Sequence, residues 1–151
     1  MLNRLQNDNK FQHMNPLDIK DIFIMTGTNN VDRILNDRKN TEIQRAICDI
    51  KQLTEFLHQW ARSATVNIIN ILPRTSPARN EVINHLNCFI YDLCERSSFM
   101  KFRDTESQRY LFSTKFGFRK NNYFKHGRDN VHLNSLGVMK LGKYLKYHAH
   151  H

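Results

Sequence analysis

The sequence predicts an α/β fold, a doubly wound and largely parallel sheet covered by helices on both faces. Three observations predict it. One short run of β-forming residues, Ile22 to Met25, is continuously apolar, as a strand buried on both faces must be, and a second, Val66 to Pro73, reads as another buried strand. Helical stripes alternate with them in chain order, which is the pattern of right-handed crossover units. The two polar motifs that stand out both fall where strands should end, the position of chemistry in such sheets.

Residues 1–15 are rich in Asn and Gln without a period, and read as a polar tail or the remnant of a helix. Asp21-Ile22-Phe23-Ile24-Met25-Thr26-Gly27 is the first strand, closed by a glycine. From Thr41 to Arg62 the apolar residues Ile43, Ala46, Ile47, Ile50, Leu53, Leu57, Trp60 and Ala61 mark a long amphipathic helix. Trp60 reads as core rather than as a ligand platform. Val66 to Pro73 is the second buried strand, stopped by the proline. Val82, Ile83, Leu86, Phe89, Ile90 and Leu93 mark the next helix, opened by Ser76 as cap and Pro77 in the first turn.

Phe99 to Thr105 is a weaker strand, and 106–131 is a long irregular stretch of the kind that often carries function. Leu136, Val138, Met139, Leu141, Tyr144 and Leu145 outline a last helix capped by Asn134 or Ser135.

With 151 residues, 40% apolar and 25% charged, the chain suits one globular domain rather than a disordered segment. Its net charge of +9 favours polyanionic partners, although a merely solvated basic surface is the plainer reading. The basic residues are spread along the chain, with a modest concentration at Arg119, Lys120, Lys125 and Arg128. Phe116, Phe118, Tyr123 and Phe124 interleave with them, as a surface stacking on single-stranded nucleic acid would require. No nucleic-acid module signature accompanies them.

Cys48, Cys88 and Cys94 form no CxxC pair, and two of them fall on apolar helix faces, where reduced buried thiols are usual. No stretch has the length of a membrane span, and the N-terminus lacks a signal-peptide pattern. The chain as written therefore reads as soluble and suited to a reducing, cytoplasmic compartment. His148, His150 and His151 could bind a metal adventitiously, but a frayed basic tail is the simpler account, and no cofactor is implied.

Asp129-Asn130-Val131-His132-Leu133-Asn134 places a carboxylate where it can hold an imidazole in one tautomer while the ring faces outward as a general base. An incidental histidine on a surface turn is the alternative. Gly27-Thr28-Asn29-Asn30 closes the first strand; the glycine permits a positive-φ turn, and the Asn29 amide could donate to a developing oxyanion. The same four residues are also good turn chemistry and nothing more.

Taken together, Ile22 to Asn30 and Asp129-Asn130-Val131-His132-Leu133-Asn134-Ser135-Leu136-Gly137 resemble the SGNH (GDSL-type) hydrolase family over roughly residues 16–147. The likeness is closest to SGNH-like domains of invertebrate proteins, some of them linked to mobile elements. Ile69-Asn70-Ile71-Leu72-Pro73-Arg74 sits where that family has its next core strand.

The resemblance implies a three-layer α/β/α, flavodoxin-like parallel sheet and an esterase activity toward acyl or acetyl groups. In it His132 is the general base, Asp129 its partner and Asn29 an oxyanion-hole donor following Gly27. The family's serine nucleophile comes from a Gly-Asp-Ser element, and no Gly-Asp-Ser occurs in this chain. None of the seven serines stands in a matching strand-to-helix turn.

The expectation is an N-terminally incomplete domain, the C-terminal two thirds of the family fold, inactive as this polypeptide. Residues 148–151 form a His-rich tail beyond it. The strand at 21–26 is then an apolar edge that a second chain or a missing N-terminal segment must cover. The alternative expectation is a non-catalytic module contacting nucleic acid through the basic loop 116–128.

Overall fold

A computed structural model describes residues 12–107 and 109–149. The His150 and His151 part of the expected tail, and all but the end of the 1–15 segment, lie outside the described residues.

Three parallel strands make one sheet in the order β1-β2-β3: β1 (Asp21–Met25), β2 (Thr65–Ile69) and β3 (Met100–Arg103). Ile22 stands opposite Val66, and Val66 opposite Met100, so the side-chain faces are in phase across the sheet. Four helices join and flank the strands: α1 (Val31–Asn36), α2 (Thr41–Trp60), α3 (Pro77–Glu95) and α4 (Ser135–His148).

The apolar residues of β1 and β2 supply two cores, one on each face of the sheet. On one face Ile22, Ile24, Val66, Ile68, Met100 and Phe102 pack with Ile50, Leu53 and Leu57 of α2 and Ile83, Leu86 and Ile90 of α3. On the other, Phe23, Met25 and Ile69 meet Leu141 and Tyr144 of α4 together with Phe112 and Phe124. The result is the expected three-layer α/β fold. No helix among the described residues is long and apolar enough to cross a membrane.

The structure departs from the sequence expectation in several places. β2 ends at Ile69, four residues before Pro73. From Asn70 onward side chains satisfy the backbone: Asn87 Oδ1 accepts from Ile71 N at 2.8 Å, and Asn87 Nδ2 donates to Ile71 O at 3.1 Å. The strand stops because a helix amide replaces its sheet neighbour, before the proline is reached. Helix α1, too short to show a period, was not anticipated.

In α4, Leu136, Val138 and Met139 are exposed, and Gly137, Leu141 and Tyr144 form the buried line. Gly137 lies where an added Cβ would sit 2.3 Å from Tyr123 O, so only a glycine lets this first turn approach the loop. Cys48 and Cys88 are exposed; only Cys94 is buried, and that burial pushes its thiol up to about 11. Trp60 is half-buried at the end of α2.

The described residues of the long stretch after β3 are irregular apart from one 3-10 turn, Asn121–Tyr123. Phe112 and Phe124 are fully buried and act as its two anchors. Asn70 Oδ1 accepts from both Thr105 N and Thr105 Oγ1 at 2.8 Å, tying the start of the stretch to the end of β2.

Candidate active site

Two loops at the carboxyl ends of the strands build the site. After β1, Gly27 adopts φ +96°, and a Cβ there would lie 2.8 Å from Ile71 Cδ1. Glycine is therefore favoured by conformation, while the Ile71 methyl end could shift to admit a Cβ. A single 3-10 turn, Thr28–Asn30, then leads into α1, with Asn30 N donating to Gly27 O at 3.0 Å.

Beneath this turn lies an arginine that the sequence reading passed over. Arg74 is buried; its Nη2 donates to Thr28 O at 2.8 Å, and its Nη1 donates to Asp32 Oδ2 at 3.2 Å. Arg79 Nε donates to the other Asp32 oxygen at 2.5 Å. That hydrogen bond, with the Arg74 contacts, holds the Asp32 carboxyl below its ordinary range despite some opposing desolvation. Asn80 clamps the Arg74 backbone from both sides, accepting from its N at 2.7 Å and donating to its O at 2.8 Å. The loops after β1 and β2 are thus one hydrogen-bonded unit. The available signal was polar: Asn67, Asn70 and Arg74 punctuate a largely apolar run, and buried polar groups require partners.

The second loop carries the pair. His132 Nδ1 and Asp129 Oδ1 are 2.7 Å apart, and Asp129 Oδ1 also accepts from His132 N at 3.3 Å. Lys125 Nζ stands 3.6 Å from the other carboxylate oxygen. The hydrogen bond to His132 is the main reason the Asp129 carboxyl lies below its ordinary range. With Nδ1 engaged, Nε2 is the ring nitrogen left for proton exchange. Backbone pairing fixes the loop: Lys125 N donates to His132 O, and Asn134 N to Tyr123 O, both at 2.9 Å. Asn134 then caps α4, accepting from Gly137 N at 3.0 Å.

Both loops open on one cleft of about 790 Å³, lined by Gly27, Asn29, His132 and Leu141 and floored in part by Leu72. Asn29 is exposed within it. Asp49 and Gln52 of α2 reach the same cleft, which the sequence pattern gave no reason to expect. Among the described residues no serine or cysteine lines it; Thr26 and Thr28 are its hydroxyls. Among the described residues no group of three His, Cys, Asp or Glu side chains could hold a metal ion. His148 packs against Tyr144 and contacts Arg103, which is a role inside the fold.

The basic loop is arranged differently from the expected stacking surface. Phe124 is core and Tyr123 is partly buried, which leaves Phe116 and Phe118 exposed. Arg119 is occupied by Asn121 Oδ1, Asn130 O and the Phe124 ring. Lys120 donates to Tyr110 O, and Lys125 faces Asp129. Arg128 is exposed.

No protein-family model and no curated protein matches the chain. Among solved structures it is similar to one described as "a putative platelet activating factor from Streptococcus pneumonia", with a TM-score of 0.73 and 19% identity. The match covers 97% of this chain and 66% of that one, so the chain spans about two thirds of its neighbour's length. The likeness establishes a shared fold.

Proposed function

We propose that the chain is an SGNH-like hydrolase domain carrying the base half of an acyl-ester hydrolysis site. The observation that carries this reading is the 2.7 Å contact between His132 and Asp129 at the mouth of the cleft that also holds Gly27 and Asn29. A hydroxyl nucleophile in that cleft would lose its proton to His132 Nε2 as it attacked the ester carbonyl. Asp129 would stabilise the resulting imidazolium, and the Asn29 amide would donate to the oxyanion. His132 would then return the proton to the departing alcohol.

The nucleophile is expected from outside the described residues. β1 pairs with β2 alone in the sheet, and each of its residues is only partly buried. A further parallel strand on its outer edge would end beside Gly27, where parallel sheets present their catalytic groups. A second chain or additional polypeptide could supply it, covering the edge and completing the site together. Similarity to a longer streptococcal protein described by reference to platelet activating factor supports the hydrolase reading.

The 151-residue chain alone should be inert, since loss of a triad member typically forfeits ~10⁴–10⁶ in rate. Incubation with a short-chain aryl ester and a fluorophosphonate label tests this. Neither turnover nor labelling above the His132→Ala background is expected. Turnover that disappears in His132→Ala would overturn the assignment of the nucleophile to another segment.

A further inference from the structure

The turn at 114–118 is tightly built, yet it holds two large aromatic rings in water. Thr114 N donates to Phe118 O at 2.7 Å, Gly117 N donates to Thr114 O at 2.9 Å, and Phe118 N donates to Thr114 Oγ1 at 3.2 Å. Gly117 supplies the positive φ of +85°, and Ser113 pairs antiparallel with Arg119 at the base of the hairpin. Phe116 and Phe118 are 75% and 72% exposed, more than any other Phe, Tyr or Trp among the described residues. Burying either ring would be favourable, so a fixed turn that displays both leaves them available to a partner.

The rings form one wall of a groove of about 590 Å³, and the first turns of α3 form the other, with Glu81 and Asn84 on its surface. Lys115 lies 5.0 Å from the Phe116 ring centre. Lys120, following directly on the hairpin, spends one donor on Tyr110 O and keeps the rest of its ammonium for an anion.

We propose that this groove binds single-stranded nucleic acid, with bases stacking on Phe116 and Phe118 and phosphates held by Lys115 and Lys120. Sequence-tolerant stacking beside a cationic track is the chemistry of such sites, and the net charge of +9 draws a polyanion to them. A lipid surface fits less well. Inserting the rings would carry Glu81 and Asn84 toward acyl chains, and burying unpaired polar groups is costly, whereas the Asn84 amide can meet a base edge. The one carboxylate in the groove, Glu81, opposes a phosphate backbone and so places it on the hairpin side.

This site is separate from the cleft of His132, and His132→Ala should bind as the unsubstituted chain does. The test is fluorescence anisotropy with a labelled 15-nucleotide oligo(dT), titrated at several salt concentrations. Phe116→Ala and Phe118→Ala should each weaken binding about 5- to 150-fold, the equivalent of the ~1–3 kcal/mol of a stacked base. Lys115→Gln should reduce the slope of log K against log salt by about 0.7, and Glu81→Gln should tighten binding.

These side chains are exposed, so thermal unfolding of each variant should match the parent and confirm that the fold is intact. Absence of binding at low salt would overturn the proposal. So would binding indifferent to both phenylalanine substitutions, which would mean diffuse charge attraction. Binding to phosphatidylserine vesicles in place of the oligonucleotide would overturn it in favour of a lipid surface.

Discussion

Two glycines of α4 make opposite predictions for one substitution. At Gly142 nothing lies within 4 Å of a would-be Cβ, and the residue is exposed in the helix interior. Alanine there should stabilise by about 0.5–1 kcal/mol, the propensity and unfolded-state entropy that glycine forgoes. At Gly137 the same methyl would sit 2.3 Å from Tyr123 O and 2.8 Å from Leu133 Cδ2. The carbonyl cannot retreat freely, because it accepts from Asn134 N at 2.9 Å.

A contact that short must open by about 1 Å to reach van der Waals distance, enough to break that hydrogen bond. Overpacking costs typically 1–3 kcal/mol and the lost bond about 1 more, against a propensity gain of at most ~1. Gly137→Ala should therefore lose about 1–3 kcal/mol. In a chain of this size that corresponds to a fall of some 2–12 °C in Tm, while Gly142→Ala should rise by about 1–4 °C. Urea titration read by circular dichroism, with thermal melts in parallel, gives both values. Shifts of the same sign would refute the argument that close approach, rather than helix propensity, governs the start of α4.

The buried Arg74 should be worth more than its surface neighbours. Arg74→Met is expected to cost about 2–4 kcal/mol in urea titration, since it strands Thr28 O and part of Asp32. Combining it with Asp32→Asn should cost less than the sum of the two single changes. Asp32 also bears on acid stability. Its carboxyl is depressed when folded, so its stabilisation is present above the unfolded value near ~3.9 and fades as pH falls through the lower folded value. Because Asp32 is half-exposed the effect is modest, and Asp32→Asn should flatten the acid limb of a stability–pH curve below about pH 4. Finally, a disulfide reagent at pH 8 should titrate Cys48 and Cys88 in the native chain and reach buried Cys94 only in urea; rapid modification of all three would contradict the packing around Cys94.

What could be read in advance follows from which forces leave a trace in one dimension. Burial on both faces leaves runs dominated by apolar residues, so β1 and the body of β2 were visible, and the long stripe of α2 was clearer still. Ser76 with Pro77, and Asn134, announced two helix starts because capping is local chemistry. The end of β2 was hidden, since Asn87 meets Ile71 across sixteen positions of sequence. The same holds for the Arg74–Asp32 contact, whose partners lie forty-two positions apart. In the site, Asp129 and His132 are near neighbours and could be paired on spacing. That Asp49 and Gln52 face the same cleft depends on how α2 lies against the sheet, which no local pattern records. The aromatic loop misled for a related reason: Phe124 and Phe118 look alike in sequence, and only tertiary packing makes one an anchor and leaves the other in water.

The tie from Arg74 to Thr28 O separates upkeep from use. Gly27, Arg74, Asp32 and Asn80 hold the cleft in shape through contacts that fold the protein, while Asp129, His132 and Asn29 stand at its surface with little structural duty. Chemistry on such a frame is interchangeable. The exposed groups can be exchanged without remaking the walls around them, and the cavity keeps its shape whichever side chains it displays. For the engineer, this is a scaffold on which a nucleophile can be installed and varied by trial, with Tm as the early warning that a change has reached the frame.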